Sequence, residues 1–224
     1  MMAELWRRAW GVLVTYRWRL LVLFGAVLLP LYAFGELADE VWEGERIAFD
    51  APLLDYARAS ATPALDTFML VVTRLGYLWG VVPVTTLTLI VLWRRAPVRD
   101  TLFFALSVLG ATLLNQAAKL LFARERPALW PSLVNESSFS FPSGHAMGSM
   151  ALAAALVVLL WPTRWRYPAL VGGGLFTLLV GVSRVYLGVH YPSDVLAGWI
   201  AALAWVVGLT LLLYRPGGAT RERD

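Results

Sequence analysis

A bundle of six membrane-spanning helices is the fold class this sequence predicts, on three observations. First, 59% of the 224 residues are apolar and only 15% are charged, with a mean hydropathy of +0.65. A soluble domain of this size is about one quarter charged. Second, the apolar residues gather into runs approaching the ~20 residues that cross a bilayer as a helix. Third, arginines cluster between alternate runs, as the cytoplasmic bias of cationic loops requires. Eleven tryptophans and eight tyrosines suit aromatic belts at the two interfaces. The chain has no cysteine, which excludes disulfides and thiolate metal sites.

The spans are expected at 20–35, 75–93, 102–118, 146–161, 169–187 and 195–214. The first and fourth are short, so both are expected to extend into neighbouring interfacial residues. The opening stretch also has features of a signal peptide, with Arg17 and Arg19 ahead of an apolar core. Residues 33–35 match an A-x-A cleavage site poorly, which favours a span. Between spans one and two, residues 36–66 are acidic. Within and just beyond them, residues 52–70 carry apolar positions at helical spacing, reading as an interfacial helix or equally as a surface loop. The whole of 1–224 reads as a single membrane domain with a motif-bearing core at 119–194 and a tail at 215–224.

The arginines set the orientation. Arg7, Arg8, Arg17 and Arg19 precede span one, and Arg94, Arg95 and Arg99 join spans two and three. Arg164 and Arg166 join spans four and five, and Arg215, Arg221 and Arg223 follow span six. With six spans, all four groups fall on one side, which places both termini in the cytoplasm. The net charge of +4 is spread between apolar runs and forms no basic stripe, which excludes a nucleic-acid partner.

The cations beside the motifs break that pattern. Lys119, Arg124, Arg126 and Arg184 belong to the opposite, outer end, where they contribute nothing to topology. Singly, Lys119 and Arg126 read as snorkelling anchors. Arg184, flanked by valines at the end of an apolar run, reads as a cation facing the bundle interior and a partner. Both histidines of the chain, His145 and His190, emerge at the same end. The shared chemistry is phosphate handling. Arginine matches phosphate oxygens bidentately, and lysine adds a point charge. The segment Pro142-Ser143-Gly144 opens span four, where first-turn amides lack helical acceptors and the dipole favours an anion. Gly144 allows close approach of an oxyanion, and the Ser143 hydroxyl adds a donor. Pro192 suits the first turn of span six, so the Asp194 carboxylate can reach back as in a capping box. An Asp on Nδ1 of His190 would leave Nε2 as a nucleophile, with His145 as general acid and base.

The three stretches Lys119-x6-Arg126-Pro127, Pro142-Ser143-Gly144-His145 and Ser183-Arg184-x5-His190-x3-Asp194 resemble the three signature motifs of type 2 phosphatidic acid phosphatases. That superfamily includes lipid phosphate phosphatases, undecaprenyl-diphosphate phosphatases and vanadium haloperoxidases. The resemblance implies an all-α core and metal-independent hydrolysis without a cofactor. It implies phosphate binding by Lys119, Arg126 and Arg184, completed by Ser143 and Gly144. It implies His190 as nucleophile, Asp194 as its orienting partner and His145 as general acid. Arg124 and Glu125, in the variable interval, receive no catalytic role.

The function expected is an integral-membrane lipid phosphatase acting at the outer leaflet of a bacterial cytoplasmic membrane. Undecaprenyl diphosphate is the first choice of substrate, with phosphatidic acid and phosphatidylglycerol phosphate as alternatives. A haloperoxidase fits less well, since such relatives are soluble or peripheral. A non-catalytic lipid-binding or transport protein fits less well too, because both histidines and Asp194 are present. Small-residue patterns such as Gly144-x-x-x-Gly148 serve bundle packing and dimers alike, which leaves the oligomeric state open.

Overall fold

The computed structural model describes residues 20–128, 130, 133, 134 and 136–214. Among them there are helices and no strands. We number these α1 (20–42, with a π-helical turn at Phe24–Leu28), α2 (Asp50–Ala59), α3 (Pro63–Leu75) and α4 (Val81–Arg95). They continue as α5 (Val98–Phe122), α6 (Gly144–Leu160), α7 (Arg166–Tyr186) and α8 (Pro192–Leu213). The expected arginines at 7, 8, 17, 19, 215, 221 and 223, both termini and the 215–224 tail lie outside the described residues.

Four helices, α1, α5, α7 and α8, are long and apolar enough to cross a membrane. α6 is apolar but has 17 residues, and α4 has 15. At 1.5 Å per residue those two are about 25 and 22 Å long, against a hydrocarbon core of about 30 Å. The first expected span does extend, through the acidic residues to Trp42. The fourth gains only two residues at its start.

Two expectations need correction. The second span, 75–93, is not one helix. α3 ends at Leu75, a turn occupies 76–80, and α4 begins at Val81. Glycine makes that turn: a Cβ on Gly80 would lie 2.2 Å from the Leu75 carbonyl oxygen. The stretch 52–70 is neither a loop nor one helix. Thr62 is extended because it precedes Pro63, and its hydroxyl caps α3 by accepting from the Leu65 amide at 3.3 Å. The result is α2 and α3, joined by a tight turn.

The packing centre is α6, which lies among α5, α7 and α8. Its buried residues include Ala146, Ser149, Ala151 and Ala155. Small side chains let helix backbones approach, which drives association where lipid removes the usual hydrophobic drive. Phe103, Phe104, Met147, Leu152 and Val206 complete this core. The chain reverses at each connection from α4 to α8. The α4–α5 and α6–α7 turns, with Arg94, Arg95, Arg99, Arg164 and Arg166, therefore share one end. The three motifs share the other.

Candidate active site

Each motif residue is set by a helix terminus. α5 carries Lys119 in its last turn and stops at Ala123, whose φ of +44° is left-handed. That reversal sends Arg124 toward α8 and Arg126 toward the 137–140 loop. Ser143 is the N-cap of α6, so Gly144 and His145 occupy its first turn. Gly198 of α8 permits this placement, since a Cβ there would lie 2.8 Å from the Ser143 carbonyl oxygen. Arg184 sits in the last turn of α7, and Pro192 and Asp194 sit in the first turn of α8.

His190 is 1% exposed and Asp194 is fully buried. The Asp194 Oδ2 lies 3.3 Å from His190 Nδ1, accepts from the Ser140 hydroxyl, and accepts from the Tyr191 amide at 2.9 Å. On the other side of the ring, Arg126 Nη1 lies 3.0 Å from Nε2. A guanidinium can only donate, so Nε2 is the acceptor and the proton belongs on Nδ1, facing Asp194. Burial pushes His190 down to about 4, against the opposing pull of Asp194, which keeps the imidazole neutral near pH 7. A neutral ring with its lone pair on Nε2 is the nucleophilic form.

His190 lines a cavity of about 390 Å³ together with Lys119, Arg126, Glu136, Gly144 and His145. The cavity continues between α4 and α5 past Val81, Leu89, Val108 and Leu109. His145 packs against the Tyr77 ring at 5.3 Å between centroids. Lys119 Nζ donates to Ser138 Oγ at 3.1 Å and to the Phe139 carbonyl. Arg126 donates to the carbonyls of Ser138 and Val189, both at 2.7 Å.

Two predicted phosphate ligands sit differently from expectation. The Ser143 amide is not free, because it donates to the Asp194 carbonyl at 3.0 Å. The Ser143 hydroxyl is buried without a hydrogen-bond partner among the described residues. Arg184 does face the interior and has a partner, but it does not line the cavity. It is fully buried, donating to Thr73 Oγ1 at 2.6 Å and to the Glu136 carboxylate. Glu136 also lies 3.6 Å from Arg126 Nη2.

Four contributors were missed. Arg124, given no role from the sequence, donates to Asp194 Oδ1 at 2.7 Å, to Ser193 Oγ at 2.8 Å and to Asp50 Oδ2 at 3.0 Å. Asp50, 4% exposed at the start of α2, also accepts from the Ser193 amide at 2.9 Å. Ser140 bridges the His190–Asp194 pair. Glu136 covers Arg184. The third cation beside Lys119 and Arg126 was a visible hint for Arg124. Asp50 offered none, because its partners lie more than 70 residues away.

The comparisons with known proteins agree with this architecture. The family model described as the PAP2 superfamily matches residues 100–217, more than half of the chain. An undecaprenyl-diphosphatase of Sulfolobus acidocaldarius is 30% identical over 210 residues, covering 90% of this chain and 93% of the relative. Phosphatidylglycerophosphatase B of Bacillus subtilis is 41% identical over 96 residues, covering 41% of this chain and 47% of that protein. The crystal structure of a transmembrane PAP2-type phosphatidylglycerolphosphate phosphatase from Bacillus subtilis superposes with a TM-score of 0.73 at 29% identity. That superposition covers 82% of this chain and 93% of the other. The chain is a multi-pass membrane protein and belongs to the PAP2 superfamily.

Proposed function

We propose that this protein is a lipid phosphatase that cleaves a phosphate monoester or diphosphate lipid through a phosphohistidine. The observation that carries the reading is the neutral His190, held by Asp194 on Nδ1 and presenting Nε2 to a cavity lined by Lys119 and Arg126. In the first step Arg126 turns from Nε2 to a phosphoryl oxygen, the freed Nε2 lone pair attacks phosphorus, and the bond from phosphorus to the lipid oxygen breaks. His145 protonates that leaving oxygen. In the second step His145 takes a proton from water, whose oxygen displaces Nε2 and releases inorganic phosphate. Asp194 stabilises the cationic ring of the intermediate. Lys119, Arg126 and the Gly144 backbone hold the phosphoryl oxygens from the cavity wall, with Arg184 and the Ser143 hydroxyl as further donors buried behind it. The apolar continuation between α4 and α5 suits a hydrocarbon chain.

Undecaprenyl diphosphate is the first substrate to test, supported by the relative aligned along 90% of this chain. For that substrate the leaving group is the lipid monophosphate. Phosphatidylglycerol phosphate is the second reading, favoured by the 41% identical stretch and by the superposable crystal structure. Phosphate release by purified protein across both lipids and phosphatidic acid is the test. Release from none of them removes the proposal. The positive charge at the site comes from side chains, so full activity is expected in excess chelator. Vanadate, which mimics a five-coordinate phosphoryl group, is expected to inhibit competitively. Inactivation by chelator with rescue by magnesium would disprove this account.

The proposal includes one domain over 1–224 and six crossings, made by α1, α4, α5, α6, α7 and α8. The short α4 and α6 would be completed by the turn at 76–80 and by the interfacial residues after Leu160. Arg94, Arg95, Arg99, Arg164 and Arg166 support a cytoplasmic position for the end opposite the site. The head group would then be hydrolysed in the outer leaflet of a cytoplasmic membrane. Ser138 is bound to Lys119, so Ala61, exposed in the α2–α3 turn, is the better outer probe. On intact cells an impermeant thiol reagent is expected to label Ala61→Cys and to spare Thr163→Cys. The reverse pattern would put the site inside.

A further inference from the structure

Three cations are available to hold the phosphate, yet only Lys119 and Arg126 reach the cavity wall. The third, Arg184, is fully buried, and its carboxylate partner Glu136 lines the cavity. The Glu136 carboxylate pairs with Arg184 and lies 3.6 Å from Arg126. Burial raises the Glu136 pKa, but Arg184 and Arg126 outweigh it and hold the group below the usual carboxylate range. The carboxylate is therefore ionised and sits among the cations that the proposed reaction needs.

A carboxylate and a phosphoryl group compete for the same guanidinium donors, because both present planar pairs of anionic oxygens. Two anions held side by side also repel strongly where little water screens them. Two further donors, the Arg184 Nε and the Ser143 hydroxyl, are buried and have no protein partner among the described residues. A carboxylate has two oxygens, and a phosphoryl group has three. The geometry leaves donors that one carboxylate does not satisfy.

We propose that Glu136 is an internal occupant of the phosphate site, which the lipid phosphate must displace before Arg184 can bind it. The proposal rests on reading the Lys119–Arg126–Arg184 cluster as the phosphate site. Displacement sets the affinity: a ligand that needs the Glu136-out state binds more weakly by the fraction of time that state exists. It also sets a selectivity. Phosphate monoesters and diphosphates carry enough charge to exchange with a carboxylate, whereas singly charged phosphodiester head groups of bulk phospholipids do not. Glu136 would then keep an enzyme immersed in phosphodiesters from being occupied by them.

The test is isothermal titration of vanadate and of inorganic phosphate into wild-type protein, Glu136→Gln and Glu136→Ala in detergent, with KM measured in parallel. Both variants are expected to bind vanadate more tightly, by on the order of tenfold, and to show a KM lowered by a similar factor. A phosphodiester phospholipid is expected to inhibit the variants more than the wild type. Unchanged or weaker vanadate binding in a folded variant overturns the proposal, as does a fall in kcat with Kd unchanged, which would make Glu136 a participant in the chemistry. If Glu136→Ala does not fold, because Arg184 loses its buried partner, the isosteric Glu136→Gln decides alone. Wild-type protein that neither binds vanadate nor releases phosphate would instead refute the phosphatase reading.

Discussion

Replacing His190 with alanine is expected to abolish phosphate release while leaving a folded protein. Nucleophilic catalysis splits one difficult displacement into two easier ones, and it needs the atom that forms the intermediate. No other side chain in the cavity has its position. Lys119 is occupied by Ser138 and the Phe139 carbonyl, and His145 packs against Tyr77. The fold should tolerate the change because Asp194 keeps its other partners, Ser140, Arg124 and the Tyr191 amide. No buried carboxylate is left unpaired, which is the usual source of a large destabilisation. His145→Ala should behave differently. It removes proton transfer and not the intermediate, so kcat should fall by about 10²–10⁴. Acid-quenched single turnovers with ³²P-labelled substrate separate the two. Labelled protein should accumulate to some extent in the His145 variant and be absent from the His190 variant. Turnover by His190→Ala within tenfold of wild type would remove the phosphohistidine from the mechanism.

Much of this site was legible because its parts lie at helix ends, where sequence and geometry are tightly linked. Pro192 marks the first turn of α8, so the reach of Asp194 back to Tyr191 and His190 followed from spacing alone. Arg184, inside an apolar run, could be predicted to have a buried partner, because an intramembrane cation without one is too costly. Its partner could not be named. Glu136 lies 48 residues away in a connection without periodicity, and nothing local links it to Arg184. Asp50 is a similar case, since it read as one more acid in an acidic segment. Its role appears only when α2 packs beside α8 and its carboxylate meets Ser193 and Arg124.

The helix count shows the same division. The apolar runs were plain in the sequence, and each carries a helix, the second only from Val81 onward. The break at 76–80 was not plain, because an apolar run such as Leu75–Gly80–Val81 reads as continuous by hydropathy. The backbone decides it instead: Gly80 accepts a conformation in which a side chain would strike the Leu75 carbonyl. The Thr62-Pro63 break between α2 and α3 carried a better signal, a cap followed by proline at the first helical position.

Asp194→Asn is expected to lower kcat by on the order of 10⁴ with little change in KM, the scale found when the same substitution is made in a Ser–His–Asp triad. The carboxylate accepts along both oxygens. Oδ2 faces His190 Nδ1, Ser140 and the Tyr191 amide, and Oδ1 faces Arg124. An asparagine must place its NH₂ at one of those positions. At Oδ2 it would oppose the Tyr191 N–H and force Nδ1 to accept, moving the proton to Nε2 and removing the lone pair that attacks phosphorus. At Oδ1 it would set NH₂ against the Arg124 guanidinium, keeping the ring's tautomer but losing the charge that stabilises the phosphohistidine cation. Either orientation slows chemistry, while Lys119 and Arg126 still hold the phosphate, so the loss falls on kcat. Asp50→Asn is the graded control, because it loosens Arg124 without touching the ring, and its loss should be far smaller. Steady-state kinetics on the three proteins tests the order. A kcat for Asp194→Asn within tenfold of wild type would show that His190 does not depend on this carboxylate for its tautomer or its charge.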